Sequence, residues 1–406
     1  MEVERPATFR ATFAVPEFRG LWFAEVQSVL GDRLARVALS VLVYEITGSP
    51  VWPAVVYALT YLPDLVAGPV LAGLADRYPR RAVMVTADLF RAVLVGLMAV
   101  PGMPFVALAA LLVCVQFAQA PFTAAQAAML PTILPGDRYV VGQSVRQITT
   151  QTSQLVGFAL GGVVVAGVGM HMSLVLDAIT FAISAVIIRL TVAERVAPQL
   201  AEPRAGRSLR RLAAGARTIW RDPRLRALVA LAWLAGAVTT AEGLAVPYAG
   251  EIGGGAVTAG VLLAAHPAGT VVGTAVVGRW LAPSVRLRVL GPLAVMAVVP
   301  LLGYAFRPGL VVTAGLLIAS GACASYQVIA SSTFMRLVPD EGRAQAFGLA
   351  GSGLIAVQGL GVLAGGGLVA LLGSPAMTVA AVAAVGVVAA LPAVAAWRRA
   401  RRANSW

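Results

Sequence analysis

Apolar runs long enough to cross a bilayer follow one another through almost the whole of this chain. A spanning helix takes about 20 such residues. Gly-Ser-Pro at Gly48–Pro50 and again at Gly373–Pro375, and Pro-Gly at Pro101 and Gly102, punctuate the runs. Each run is apolar throughout, without the alternation of a barrel strand, so the pattern spells helices. Of 406 residues, 59% are hydrophobic and 12% charged. A soluble domain carries about twice that charged share. The expected fold class is therefore an all-α, polytopic membrane protein.

Twelve spans are predicted: Leu21–Ile46, Trp52–Ala75, Ala82–Val100, Phe105–Leu130, Val140–Val168, Met172–Val192, Leu225–Tyr248, Val257–Leu281, Val289–Phe306, Leu310–Leu337, Ala344–Leu372 and Ala376–Trp397. A net charge of +13 raises the question of nucleic acid, but the arginines gather at helix ends and not on a soluble basic face, so topology explains them. Arg5, Arg10, Arg19, Arg77, Arg80, Arg81 and Arg138 fall on one side. The central connection from Arg195 to Arg224, then Arg286, Arg288, Arg343 and Arg398 to Arg402, fall on the same side, and only Arg307 lies opposite. The positive-inside rule then puts both termini and the central connection in the cytoplasm; the expected location is a bacterial plasma membrane. Trp22, Trp52, Trp220, Trp280 and Trp397 fall near predicted interfaces, where amphipathic rings settle.

Several chemistries are excluded by residue type. All 31 basic residues are Arg, so there is no P-loop lysine and no Schiff-base amine. Two distant His cannot build a His-based metal site, and no cofactor is expected. Cys114 and Cys323 sit in apolar spans and read as packed thiols. Met1 to Arg19 is polar, without the apolar core of a cleavable signal peptide.

The chain also repeats itself. The offset that carries Pro135 onto Pro339 also carries Gln154 onto Gln358, Gly157 onto Gly361, Gly161 and Gly162 onto Gly365 and Gly366, and Gly169 onto Gly373. Two six-helix halves are expected, 1–192 and 225–406, joined by a cytoplasmic linker at 193–224. Duplicated halves about a pseudo-two-fold axis are the frame of a rocking transporter. In the linker, Ser208 to Arg221 reads either as an amphipathic surface helix or as a solvated connection.

The densest motif is Ala72 to Arg81, AGLADRYPRR, where Asp76 and Arg77 close one run and Arg80 and Arg81 open the next. Tyr78 and Pro79 turn the chain. This spacing resembles the signature loop between the second and third helices of major facilitator superfamily transporters, with Ala72 (beside Gly73) for the usual leading Gly and Pro79 for the turn Gly. FRGLW…VLGDRLA (Phe18–Ala35), YEITGSP (Tyr44–Pro50), ADLFRA (Ala87–Ala92) and LDAITFAISA (Leu176–Ala185) resemble its twelve-helix drug:proton antiporters, which include macrolide-efflux and enterobactin-exporter relatives. The stretch aligned with their fifth-helix motif reads GFALGG (Gly157–Gly162), without its Gly-Pro pair. The resemblance implies a major facilitator fold in which Gly73, Asp76, Arg77, Arg80 and Arg81 form an inner gate. Asp76 would cap the eleventh helix near Gly342 to Ala344, as a helix N-terminus favours a carboxylate. A topology signal alone is the other reading. Asp88 and Arg91, three apart on one helical face, would join that gate network.

Ionisable residues inside spans are the other candidates, because lipid tolerates them only against a bundle interior or a wet cavity. Glu25, Asp32 and Arg36 share a narrow stripe of the first span. Asp32 is either the proton-coupling carboxylate or half of a static pair with Arg36. Asp64 and Glu242 are each read as a cavity charge, a cation site or a proton carrier. Asp64 alternatively pairs with Arg33, and Glu242 is alternatively a wetted vestibule charge. Asp177 is expected to bond backbone or a neighbouring helix. His266, before Pro267, is read as a packing residue over a proton relay. Tyr57, Tyr61, Phe117, Phe122, Trp233 and Tyr326 either line an apolar pocket or pack. The expected function is proton-coupled efflux of a small hydrophobic drug or secondary metabolite by a monomer. Uptake and lysophospholipid flipping are the alternatives within transport, and a polytopic enzyme or sensor is the alternative outside it. The expected partners are lipid bilayer, small-molecule substrate and protons, with no nucleic acid.

Overall fold

The computed structural model describes residues 8–71, 73–195, 215–338 and 343–402. Within these, every regular element is a helix, since backbone polar groups in lipid must be satisfied inside their own segment. Nine helices among the described residues are long and apolar enough to span a membrane, and they cover the fourth to twelfth expected spans. The first three expected spans are helical as well, each with a local reason for falling short. The first, Pro16–Thr47, carries Glu25, Asp32, Arg33 and Arg36. The second is divided into Val51–Ala58 and Asp64–Leu71, with Pro63, which has no N–H to donate, at the join. The third, Arg80–Met98, carries Arg80, Arg81, Asp88 and Arg91 in 19 residues.

Other spans bend too. The seventh runs as Pro223–Ala232, Ala235–Gly243 and Ala245–Glu251. The ninth passes from Pro283–Met296 into a 3₁₀ stretch, Val299–Phe306, and the tenth breaks at Ser325 between Leu310–Ala324 and Tyr326–Leu337. The fourth (Phe105–Ile133), fifth (Asp137–Val168), sixth (Met170–Thr191), eighth (Ala256–Trp280), eleventh (Arg343–Leu372) and twelfth (Pro375–Arg402) are continuous.

Packing divides the chain into two compact units, Met1–Leu39 with Pro63–Pro203 and Ser40–Leu62 with Arg204–Trp406. In the first, Phe18, Leu21, Met84, Ala125, Met129, Leu130, Val145 and Ile188 close a core drawn from five spans. Gly157 and Gly161 let the fifth span ride directly on the first: a Cβ on Gly157 would lie 2.7 Å from the Arg33 Cβ, and one on Gly161 3.2 Å from the Leu34 Cα. The second unit repeats that crossing. There Gly361 and Gly365 bring the eleventh span onto the seventh, with a Cβ on Gly361 at 3.0 Å from the Gly236 carbonyl oxygen and one on Gly365 at 2.4 Å from Thr240 Cγ2. These four glycines are two of the pairs related by the internal sequence offset. Small residues of this kind allow backbones to meet where no hydrophobic force drives helices together.

Helix ends are capped by side chains. Glu251 accepts from Ser374 Oγ (2.7 Å) and from the Ala376 backbone N–H (3.1 Å), placing a carboxylate at the start of the twelfth span. Asp222 caps the seventh span, accepting from the Arg224 N–H at 2.8 Å and from its guanidinium. Burial pushes the Asp222 carboxyl up, but the bonds from Arg224 outweigh it and hold the group below the usual carboxylate range. Its stabilisation is thus full above the unfolded pKa and fades as pH falls through the lower folded value. Asp222→Ala should cost about 1 kcal/mol. Thermal unfolding in detergent at pH 7 and at about pH 2 checks this, with the smaller loss expected at the acid end.

Candidate functional site

Charge inside the first unit converges on Arg91 of the third span. Its Nη2 donates to both carboxylate oxygens of Asp32, each at 3.2 Å, and its Nη1 to Asp88 Oδ1 at 3.4 Å. The guanidinium carbon lies 3.8 Å from the centroid of the Phe181 ring, a cation–π contact from the sixth span. Arg91 and Asp88 are 2% and 0% exposed, deep enough that loss of either partner strands a charge. The Ser184 hydroxyl of the sixth span also acts on the Asp88 carboxyl.

Two more carboxyls belong to this cluster. Asp177, 1% exposed, accepts from Thr180 Oγ1 at 3.2 Å and interacts electrostatically with Asp32, Asp88 and Arg91. Gly31 makes room for it, because a Cβ there would lie 2.4 Å from Asp177 Oδ1. Asp64, at the start of the second of the two helical segments of the second span, interacts with Arg36 and Arg91. Arg33 lies with its guanidinium over the Phe158 ring at 5.6 Å. Four carboxyls thus interact with the guanidiniums of Arg36 and Arg91.

The structure splits the stripe of Glu25, Asp32 and Arg36. Asp32 takes Arg91 as its ion-pair partner, from another span. Glu25 turns to Arg146 of the fifth span, which donates from Nε to Oε2 (2.7 Å) and from Nη2 to Oε1 (2.9 Å). Gln126 completes the group, accepting from Arg146 Nη2 at 2.7 Å and donating to Glu25 Oε2 at 3.2 Å. Sequence reasoning passed over Arg146 and Gln126. A cation in one predicted span facing an acid in another was the available signal.

Two arginines of the turn motif bond to backbone carbonyls of neighbouring helices. Arg80 Nη1 donates to the Ala128 carbonyl (2.8 Å) and Arg81 Nη1 to the Val192 carbonyl (3.3 Å), where the sixth helix ends. Arg81 also pairs with Glu194. Arg77 is exposed, and a Cβ on Gly73 would meet nothing within 4 Å. The Asp76 side chain and residues 339–342, where it was expected to meet the eleventh helix, lie outside the described residues, as do 196–214 of the linker. An apolar cavity of about 780 Å³ beside this motif is lined by Leu74, Tyr78, Phe90, Cys114 and Phe117, among others. Phe122 is instead core, 6% exposed.

In the second unit a separate polar group forms. Tyr57 Oη donates to Glu242 Oε2 at 3.0 Å, and His266 Nδ1 stands 3.4 Å from Glu242 Oε1. Tyr61 packs beside Tyr57, ring centroids 5.9 Å apart. Trp233 packs at Gly353, where a Cβ would meet its ring at 2.9 Å. Tyr326 is buried, donating to the Leu231 carbonyl at 3.0 Å. The six pocket candidates and His266 therefore divide, with Phe117 and Phe122 in the first unit and the other five residues in the second.

The sequence profile described as Major Facilitator Superfamily matches residues 21–335. No curated protein sequence matches the chain. Among solved structures, a bacterial homolog of the human lysosomal transporter Spinster, in an inward-facing and unoccupied conformation, aligns with TM-score 0.69 at 16% identity, covering 95% of this chain and 97% of its own. The nucleoside transporter NupG gives 0.69 at 15% identity over 94% and 99%. The peptide transporter POT, in complex with sulfate, gives 0.72 at 15% identity over 98% and 97%. At such identities the likeness is one of fold.

Proposed function

Because this chain belongs to the major facilitator superfamily, and is thus a multi-pass membrane transporter of small molecules and not an enzyme, we propose that it is a proton-coupled exporter of small hydrophobic molecules. The observation that carries the reading is the gathering of four carboxyls around Arg91. Asp32, Asp64, Asp88 and Asp177 interact with two guanidiniums, and the Asp88 and Asp177 side chains are buried. An uncompensated carboxylate in a low-dielectric interior is costly, and taking up a proton relieves that cost. On this reading Asp32, 30% exposed and bound to Arg91 by both oxygens, exchanges a proton with water.

Alternating access would rock the two sequence halves, 1–192 and 225–406, about a shared cavity. The matched glycine crossings, fifth span on first and eleventh on seventh, support that duplication. Asp76, with Arg77, Arg80 and Arg81, would latch the inner side, Asp88 and Arg91 joining the latch to the acid cluster. The protein would work as a monomer in the bacterial cytoplasmic membrane with both termini inside.

Uptake of candidate drugs into inverted vesicles, with and without a pH gradient, tests this. Wild type should accumulate drug only with the gradient, and Asp32→Asn should lose most of that uptake while retaining fold. Accumulation indifferent to the gradient would sink proton coupling. Undiminished transport by Asp32→Asn would remove that carboxyl from the mechanism.

A further inference from the structure

We propose that the apolar cavity beside the turn motif is a lipid site, which holds one acyl chain of an anionic phospholipid while Arg77 meets the headgroup. The cavity lies wholly within the first unit. Tyr78 of the turn and Ala82, Thr86 and Phe90 of the third span line one wall, and Cys114 and Phe117 of the fourth line the other. Its volume of about 780 Å³ is that of a ligand pocket. Its rim is exposed, Tyr78 by 54% and Phe90 by 52%, and Cys114 is exposed as well. A chain of this family sits in a bilayer, so the medium at that rim is lipid.

The walls offer almost nothing to a polar ligand. The Thr86 hydroxyl already donates to its own helix, to the Ala82 carbonyl at 2.8 Å and the Val83 carbonyl at 3.2 Å, and the Cys114 thiol is a weak donor. A polar molecule would give up its bonds to water here without replacement, whereas an alkyl chain has none to lose. The length fits a lipid chain too. From Arg80 to Phe90 the third span rises about 15 Å at about 1.5 Å per residue, the depth of one leaflet in a hydrocarbon core about 30 Å thick.

Charge at one end selects the headgroup. The turn sets three arginines, Arg77, Arg80 and Arg81, against the single acid Asp76. Arg80 is directed to the Ala128 carbonyl, and Arg81 to the Val192 carbonyl and Glu194. Arg77 ends the short helix Leu74–Arg77, is exposed, and stands next to Tyr78 at the cavity rim. A basic residue at this level of the membrane attracts anionic lipid. An apolar slot one leaflet deep with a cation at its wet end matches a phospholipid that carries net negative charge.

The chain has two cysteines, so Cys323→Ser leaves Cys114 as a reporter inside the cavity. Full-length protein in detergent is treated with N-ethylmaleimide, with added phosphatidylglycerol or phosphatidylcholine, and alkylation of Cys114 is followed by mass spectrometry. Saturating phosphatidylglycerol should slow the reaction about tenfold, because only the unoccupied fraction reacts. Phosphatidylcholine should protect far less at the same concentration. Arg77→Gln should raise the phosphatidylglycerol needed for half protection about fivefold, and Arg77→Lys should restore it. Equal protection by the two lipids, or none by either, would overturn the proposal. So would protection unchanged in Arg77→Gln, or protection given by a hydrophobic drug and not by lipid. This readout needs no transport, so it stands or falls separately from the export reading.

Discussion

Arg91→Met should destabilise the protein by about 3–5 kcal/mol, the cost of leaving buried carboxylates without their cation. The effect is large because one guanidinium serves several acids. Arg91 holds Asp32 by two bonds and Asp88 by one, and interacts with Asp64 and Asp177. Methionine fills a similar volume, so the loss reports charge and not a cavity. If the cost is stranded charge, neutralising the acids should recover much of it. Asp88→Asn in the Arg91→Met background should then be less damaging than the two single losses summed, a coupling that a double-mutant cycle isolates. The Phe181 ring contact sets the remainder, about 0.5–2 kcal/mol, which no neutralised acid restores. Thermal unfolding in detergent at neutral pH checks the series. Strict additivity would mean that Asp88 and Arg91 do not depend on one another.

Much of this fold was legible because lipid leaves few choices. Twelve apolar runs became helical segments in register with expectation, and two of the glycine pairs related by the internal offset turned out to be contact positions. Gly157 with Gly361, and Gly161 with Gly365, mark the same crossing in each unit. What the pattern could not convey was partner choice. Spacing along one helix shows which residues share a face, so Glu25, Asp32 and Arg36 read as one group. Which neighbouring helix supplies the counter-charge depends on rotation and depth. Arg146 comes from the fifth span to Glu25 and Arg91 from the third to Asp32. The same limit applied to Glu242 and His266. Each is a lone ionisable residue in an apolar run, and only tertiary packing brings them to 3.4 Å with Tyr57 alongside. Helix breaks were partly visible: Pro63 lies at the join in the second span, whereas the break at Ser325 has no proline to announce it.

Gly321→Val should abolish accumulation of folded protein, and Gly321→Ala should cost about 2–3 kcal/mol, at the upper end of what an added methyl does in a tight core. The eighth and tenth spans meet backbone to backbone. A Cβ on Gly321 would stand 2.0 Å from the His266 carbonyl oxygen and 3.0 Å from the Thr270 nitrogen. From the other side, a Cβ on Gly269 would stand 2.0 Å from the Ile318 oxygen, and one on Gly273 2.0 Å from the Ala322 oxygen. All of these obstacles are main chain, with no side chain free to swing aside, so the helices themselves must separate. Separation removes the close packing that small residues provide in a membrane and carries His266 away from Glu242. Gly315, on the same helix, supplies the control: a Cβ there meets nothing within 4 Å. Gly315→Ala should be neutral or stabilising by up to about 1 kcal/mol, since alanine is the better helix former. Thermal unfolding and monodisperse yield, compared between these two alanine variants, separate steric contact from helix propensity. Equal stability of Gly321→Ala and Gly315→Ala would show that the two spans do not touch where these glycines place them.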